Sequence, residues 1–227
     1  MFITYGTGFF GKVAKVNNQW VETKFFTLMF LPIFPLGSMF VTGSEFRKRK
    51  GFDIATDKKS IIATYARLFT FIIAGWFFFS GYALENFYYA QTTQYTCYAI
   101  GCAFAALWIY FSFYFGKATE ADALFRNKVG SITGIYAMPH WFEHYQLKNM
   151  LNTFASEYKR KYPDTDWKLD LENDNVADEK HSILYGLALF NCMVYDIPDN
   201  DKLYQIADGL YSLPSPELQD IQPTALA

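Results

Sequence analysis

Two long apolar runs, Ile61–Leu84 and Tyr95–Gly116, constrain this chain more than any other feature. The first contains one charged residue, Arg67, and the second contains none. Each is close to the ~20 residues with which an α-helix crosses ~30 Å of hydrocarbon at ~1.5 Å per residue. Only Glu85–Gln94 lies between them, so the pair is expected to form an antiparallel hairpin of membrane helices with a short external loop. The expected fold is a two-helix transmembrane hairpin between two modules outside the bilayer. A small β-rich module covers residues 1–57, a small all-α domain covers residues 117–213, and a flexible tail follows at 214–227.

Charge is divided along the same lines. Residues 1–60 carry nine Lys/Arg against four Asp/Glu, whereas residues 117–227 carry ten against seventeen. Arg47, Lys48, Arg49 and Lys50 cluster before the first run, with Lys58 and Lys59 at its edge, and Lys117, Arg126 and Lys128 follow the second. The loop between the runs has no Lys or Arg. The positive-inside rule then places both termini in the cytoplasm. The cluster Arg47–Lys50 is the candidate contact with anionic lipid, at ~1 kcal/mol per residue near such a surface. Arg67, about two turns into its run, is expected to extend its stem back to the headgroups. No basic–aromatic interleaving suggests nucleic acid.

Met1–Val16 lacks the charged start, apolar core and cleavage site of a signal peptide, so the first span is expected to serve as an uncleaved insertion signal. The lack of any organelle address points to a bacterial inner membrane. Cys97, Cys102 and Cys192 have no metal-ligand spacing and read as small packing residues.

Within residues 1–57, short β-branched and aromatic stretches are separated by Gly, Asn-Asn and Pro. Strands are expected at Phe2–Tyr5, Gly11–Val16, Trp20–Phe30, Met39–Val41 and Phe52–Ala55. Gly6-Thr-Gly8-Phe-Phe-Gly11 matches a dinucleotide fingerprint literally. A strand and turn follow it where a helix is required, and Glu22 is too close to serve as the ribose acid, so turn glycines are the better reading. The stretch Phe25–Val41 is almost long enough for a third span. Pro32 and Pro35 would break a helix there and lipid would satisfy none of the freed carbonyls, which favours a strand and turn, packed in the module or dipping into the interface.

The string Thr23–Ser38, TKFFTLMFLPIFPLGS, resembles the WFTLFFIPLFPLG segment of small zinc-ribbon family proteins, with Gly6, Thr7, Gly11, Lys12 and Val13 matching the opening that precedes it there. The resemblance covers residues 5–38. It implies a ribbon-like module without its metal, because both cysteine pairs of the family are absent.

In the hairpin, Ala99, Gly101, Cys102, Ala103, Ala105 and Ala106 supply small-xxx-small spacings for close helix packing. They serve either the other span or a neighbouring subunit. With no Asp, Glu, His or Lys inside either run, a proton relay or ion path built by these helices alone is disfavoured. Tyr82, Phe87, Tyr88, Tyr89, Tyr95 and Tyr98 form an aromatic belt at the outer end.

Helices are expected in the last domain at Thr119–Val129, Pro139–Lys161, Lys180–Tyr195 and Lys202–Leu213, with Trp141, Phe142, Tyr145, Leu151, Phe154 and Tyr158 on one buried face. His140-Trp-Phe-Glu143-His144 has catalytic form. On a continuous helix the two imidazoles would share a face to hold zinc, and Glu143 would activate the bound water, with Glu172, Glu179 or Glu217 as third ligand. The alternative is a solvated or packing pair of histidines. Membrane desaturases need more histidines than His140, His144 and His181. Asp196–Asp201 lacks the turn glycine and closing Glu of a calcium loop and reads as a turn into the last helix.

The function these features favour is non-catalytic: an accessory or scaffolding subunit of a larger membrane complex, in contact with lipid and with other membrane subunits. A membrane-anchored zinc hydrolase and a lipid-binding surface anchor are the alternatives. No cofactor and no small-molecule substrate is expected.

Overall fold

The computed structural model describes residues 5–45, 48–84, 91–172 and 176–211. The chain divides into two compact units, Met1–Thr119 and Glu120–Ala227.

The first unit opens with four antiparallel strands in sequential order: β1 (Tyr5–Val16), β2 (Gln19–Leu28), β3 (Leu31–Glu45) and β4 (Lys48–Ile54). Fewer and longer strands form than the short stretches suggest, and residues 2–4 lie outside the described set. The β1–β2 turn is set by Asn17 and Asn18, at φ 43° and 59°, a left-handed conformation that Asn tolerates and that matches strand twist in a two-residue hairpin. The β2–β3 turn takes the same left-handed conformation with Met29 and Phe30, at φ 49° and 68°.

The stretch Phe25–Val41 is extended, as its prolines demand. Both prolines sit where the β2–β3 register slips: Lys24 faces Gly37 but Phe25 faces Pro35, and Phe26 faces Phe34 but Thr27 faces Pro32. Bulges are where a sheet accepts proline, because a residue that donates no hydrogen bond leaves the ladder there without loss. The strand β4 pairs only with Ser38–Glu45, so the proline-bearing part of β3 extends beyond it.

Two long helices follow, α1 (Lys58–Leu84) and α2 (Gln91–Phe113). The start of α1 is fixed by Asp57, whose carboxylate accepts from the Ser60 N–H at 2.6 Å in the N-cap geometry. Beyond α2 the chain turns at Gly116, at φ +80°, where a side chain would strike Val13.

The second unit is helical: α3 (Glu120–Thr133), a 3-10 turn (Pro139–Trp141), α4 (His144–Lys161), α5 (Trp167–Glu172), α6 (Asp178–Val194) and α7 (Pro198–Leu210). Nine consecutive residues of α6, Ile183–Asn191, are buried, so it is the central helix about which α4 and α7 pack. Phe154 of α4 stacks on Phe190 of α6 at 5.7 Å, and Gly186 lets this ring approach. The predicted helix Pro139–Lys161 is corrected to a turn plus a helix. Its buried face is Leu147, Leu151 and Tyr158, while Tyr145 is exposed. The Asp196–Asp201 stretch leads into α7, with Pro198 in the first turn.

A polar cluster joins α4, α5 and α6. Tyr158 donates to Asp170 at 2.5 Å, and Lys180 donates to the same carboxylate oxygen at 2.6 Å. Burial opposes ionisation of Asp170, yet the bonds from Lys180 and Tyr158 hold its carboxyl below the usual range. Burial and the bond to Asp170 push the Tyr158 phenol up to about 12. A depressed carboxyl stabilises the fold above its unfolded pKa, and this is lost as pH falls through the folded value. A raised phenol stabilises below its unfolded pKa, and that contribution is lost as pH rises through the folded value. Asp170→Asn is therefore expected to destabilise the helical unit by about 1–3 kcal/mol at neutral pH. It should also flatten the acid limb of stability against pH, as followed by helical circular dichroism melts.

Candidate membrane anchor

The helices α1 and α2 are long and apolar enough to cross a membrane, at 27 and 23 residues. In their most apolar stretches only 22% and 6% of residues are buried, which is unlike the core helices of a water-soluble domain. Phe69, Phe71, Trp76, Phe79 and Tyr82 of α1 project outward, as do Tyr95, Leu107, Ile109, Tyr110 and Phe113 of α2. Of the expected aromatic belt, Phe87, Tyr88 and Tyr89 lie outside the described residues.

The two helices pack through small residues, but not through all those the spacing suggests. Gly101 is buried against Phe78, and Gly81 of α1 receives the Tyr98 ring. Ala105 lines a crevice with Phe71, Ala74, Gly75, Phe78 and Trp108. Ala99, Cys102, Ala103 and Ala106 face away from α1 and are exposed.

The joint between sheet and helices is built on two irregularities in β1. Its register with β2 slips between Phe10 and Val13 and again between Val13 and Val16. Gly11 and Ala14 take left-handed φ of 72° and 49° there. Backbone groups freed at these bulges bond to the helices. Ser60 Oγ donates to the Gly11 carbonyl at 2.7 Å, Arg67 Nη2 donates to the Lys12 carbonyl at 3.2 Å, and the Ala14 N–H donates to the Gly116 carbonyl at 2.6 Å. Gly11 is therefore a contact glycine inside a strand and not the turn glycine its motif suggests. A Cβ there would lie 2.1 Å from the Ser60 carbonyl oxygen.

Ser60 ends a relay of buried hydroxyls. The Asp57 N–H donates to Ser38 Oγ at 2.9 Å, and Thr23 Oγ1 donates to Ser60 Oγ at 2.8 Å. Thr23 has one proton and spends it on Ser60, so Ser38 is the donor in the 2.8 Å bond between Ser38 and Thr23. One helix residue thus ties together β1, β2 and β3. Around it Phe25 is fully buried, edge-on to Phe10 at 5.9 Å and to Tyr65 at 5.6 Å.

Arg67 is corrected from its expected role. Its Nε donates at 2.8 Å to the carbonyl of Phe111, one of the carbonyls that the end of α2 leaves without a helical partner. Its guanidinium thus caps α2 and holds β1 instead of reaching back to headgroups, a placement the negative end of a helix favours. No Asp or Glu pairs with Arg67 among the described residues. It borders a cleft of about 440 Å³ with Phe10, Phe30, Pro32, Phe71 and Trp108.

The basic cluster is not one patch. Arg47 lies outside the described residues. Lys48 and Lys50 are exposed on β4, while Arg49 alternates to the other face and pairs with Glu22 at 3.1 Å. The strand carrying them pairs with the end of β3 remote from the Met29–Phe30 turn.

The HxxEH segment does not form the helical face that zinc binding would use. His140 belongs to the 3-10 turn, Phe142 and Glu143 are extended, and His144 begins α4. Glu143 is the N-cap of α4 in a reciprocal capping box: its side chain accepts from the Gln146 N–H, and its own N–H donates to Gln146 Oε1 at 2.9 Å. The turn is held by α3: Arg126 is buried, donates to the Tyr136 carbonyl at 2.6 Å and lies against the Trp141 ring at 5.2 Å. Burial brings the Arg126 guanidinium down to about 10. Glu172 and Glu179 are exposed and Glu217 lies outside the described residues; among the described residues no three His, Cys, Asp or Glu are grouped to hold a metal ion.

Compared with family models, with curated proteins and with solved structures, the chain matches none.

Two substitutions test these assignments. Ser60→Ala leaves the Gly11 carbonyl and the Thr23 hydroxyl without their bonds and is expected to destabilise the first unit by about 1–3 kcal/mol, read as a lower melting temperature in detergent. Glu143→Ala is expected to cost about 0.5–2 kcal/mol of helical stability, as the loss of a cap does, with unchanged metal content by elemental analysis.

Proposed function

We propose that this chain is a membrane-moored scaffolding subunit: α1 and α2 cross the bilayer as a hairpin, and the sheet and the acidic helical unit are held at its cytoplasmic surface. The observation that carries this reading is the pair of apolar helices exposed along most of their length while locked to a sheet by buried polar bonds. An anchor of that rigidity fixes the position of whatever the other surfaces hold. The basic composition of the first sixty residues and the absence of Lys or Arg between the spans favour a cytoplasmic location for both chain ends. The outward small residues Ala99, Cys102, Ala103 and Ala106 suit close approach by a helix of another subunit. The excess of carboxylates in the second unit suits a basic partner surface.

Alkaline carbonate extraction and native electrophoresis of the full chain test this reading. The chain is expected to stay with the membrane pellet and, after mild detergent extraction, to migrate with other subunits. Release into the supernatant would remove the anchor. Migration only as a free 26.3 kDa chain would remove the scaffolding role.

A further inference from the structure

The β2–β3 hairpin ends in a largely exposed apolar surface. Phe30 is 82% exposed, and Leu28, Met29, Leu31, Ile33, Phe34 and Leu36 are all exposed beside it. The sheet's charges stop at one line. Lys24 faces Phe9 on one side and Gly37 on the other, and every residue beyond that line, Tyr5–Phe9 and Phe25–Leu36, is uncharged.

That line also fixes where the tip lies along α1. Thr23 and Ser38, one step from it, bond to Ser60 and to Asp57 at the helix start. Farther on, the Tyr65 hydroxyl donates to the Ile33 carbonyl at 2.8 Å. Phe30 and Pro32 finally line a cleft with Leu68, Phe71 and Trp108. The hairpin therefore follows α1 away from Lys58 and Lys59 for about 20 Å of helix, at ~1.5 Å per residue.

We propose that this tip, Leu28–Leu36, inserts into the hydrocarbon of the leaflet that receives the N-terminal end of α1, as a third membrane element beside the two spans. The inference rests on the anchor reading, since the tip lies against the flank of the spans and meets the medium that surrounds them. Three features equip it for lipid. The Met29–Phe30 turn is apolar where the other described turn of the sheet is Asn17–Asn18, at closely similar left-handed angles. Pro32 and Pro35 carry no backbone N–H, so the stretch beyond β4 has two fewer donors to satisfy. The Ile33 carbonyl there is covered by Tyr65. These measures reduce the unpaired backbone that keeps most strands out of lipid.

Single-cysteine fluorescence tests the proposal on the full chain. Probes at Phe30→Cys, Leu36→Cys and Asn17→Cys are made with Cys97, Cys102 and Cys192 replaced by Ala, and native Cys102 serves alone as the span reference. Each is labelled with an NBD fluorophore and reconstituted in phosphatidylcholine–phosphatidylglycerol vesicles. Quenching by acyl-chain nitroxide lipids is compared with quenching by aqueous iodide. The labels at residues 30 and 36 are expected to follow Cys102, quenched several-fold more from lipid than from water, with residue 17 the reverse. Labels at 30 and 36 quenched from water while Cys102 is quenched from lipid would overturn the insertion and leave the anchor standing. Labels shielded from both quenchers would overturn it in favour of a protein contact. A water-quenched Cys102 would overturn the anchor and the insertion together. The Leu36 probe keeps the test valid if cysteine at the strained turn disturbs folding.

Discussion

Two bulges in β1 leave backbone groups that the strand ladder cannot satisfy, and the rest of the first unit is arranged around satisfying them. The Gly11 and Lys12 carbonyls and the Ala14 N–H each find a partner on or just after the long helices. A buried group left unbonded would cost about 1–3 kcal/mol, so the sheet without the helices carries a deficit it has little core to offset. The same bonds act in reverse on the helices. Arg67 cannot reach Phe111 and Lys12 together unless α1, α2 and β1 already lie side by side. The bonds of Ser60, Arg67 and Gly116 join sheet and helices into one packed unit.

Much of this was legible in the chain. Length and hydropathy alone mark both helices, with α1 beginning three residues before its apolar run because Asp57 caps it. Asn17-Asn18 announces a turn because Asn tolerates left-handed φ, and Pro32 and Pro35 exclude a third helix. Met29-Phe30 announces nothing, since neither residue favours a turn in water. Gly11 looked like punctuation, yet its freedom serves a close approach to Ser60 some fifty positions later, and local spacing does not encode such a contact. Arg67 follows the same logic: a cation near a helix end reaches by default for headgroups, and its two carbonyl partners are set by tertiary structure.

The helical unit shows the opposite failure, a local pattern overruled from a distance. His140, Glu143 and His144 have the spacing of a metal face, nothing within those five residues forbids a helix, and Pro139 just before them suits a first helical position. Arg126, brought close by the chain reversal after α3, takes Trp141 over its guanidinium and the Tyr136 carbonyl on its Nε. A buried guanidinium is costly unless hydrogen-bonded, so the Tyr136 carbonyl bond and the Trp141 contact favour keeping this turn in place. Glu143 then meets the bare N–H groups at the true start of the helix and caps them. The six residues of the short helix α5 carry too little periodicity to mark it in the sequence.

The apolar turn offers a way to read the surroundings of the sheet from its sequence. Holding a residue other than glycine in left-handed φ costs of order 1–3 kcal/mol, less for Asn, whose side chain compensates locally. In water, Met29 and Phe30 would add to that strain the exposure of two large side chains, each worth about 1.5–3 kcal/mol when buried in an apolar medium. Asn-Asn would be better on both counts, and the same sheet uses it between β1 and β2. In hydrocarbon the ranking inverts, because an Asn amide there would be left without water, whereas Phe30 and its exposed neighbours gain by transfer. The strain at the turn is the same in either medium, so the medium weighs on the identity of its two residues together with the packing of Phe30 beside Leu68, Phe71 and Trp108. On the insertion proposed above, the Asn17–Asn18 and Met29–Phe30 turns, alike in backbone geometry, suit two different media, with the tip Leu28–Leu36 in the apolar one and the last charge of the sheet before it at Lys24.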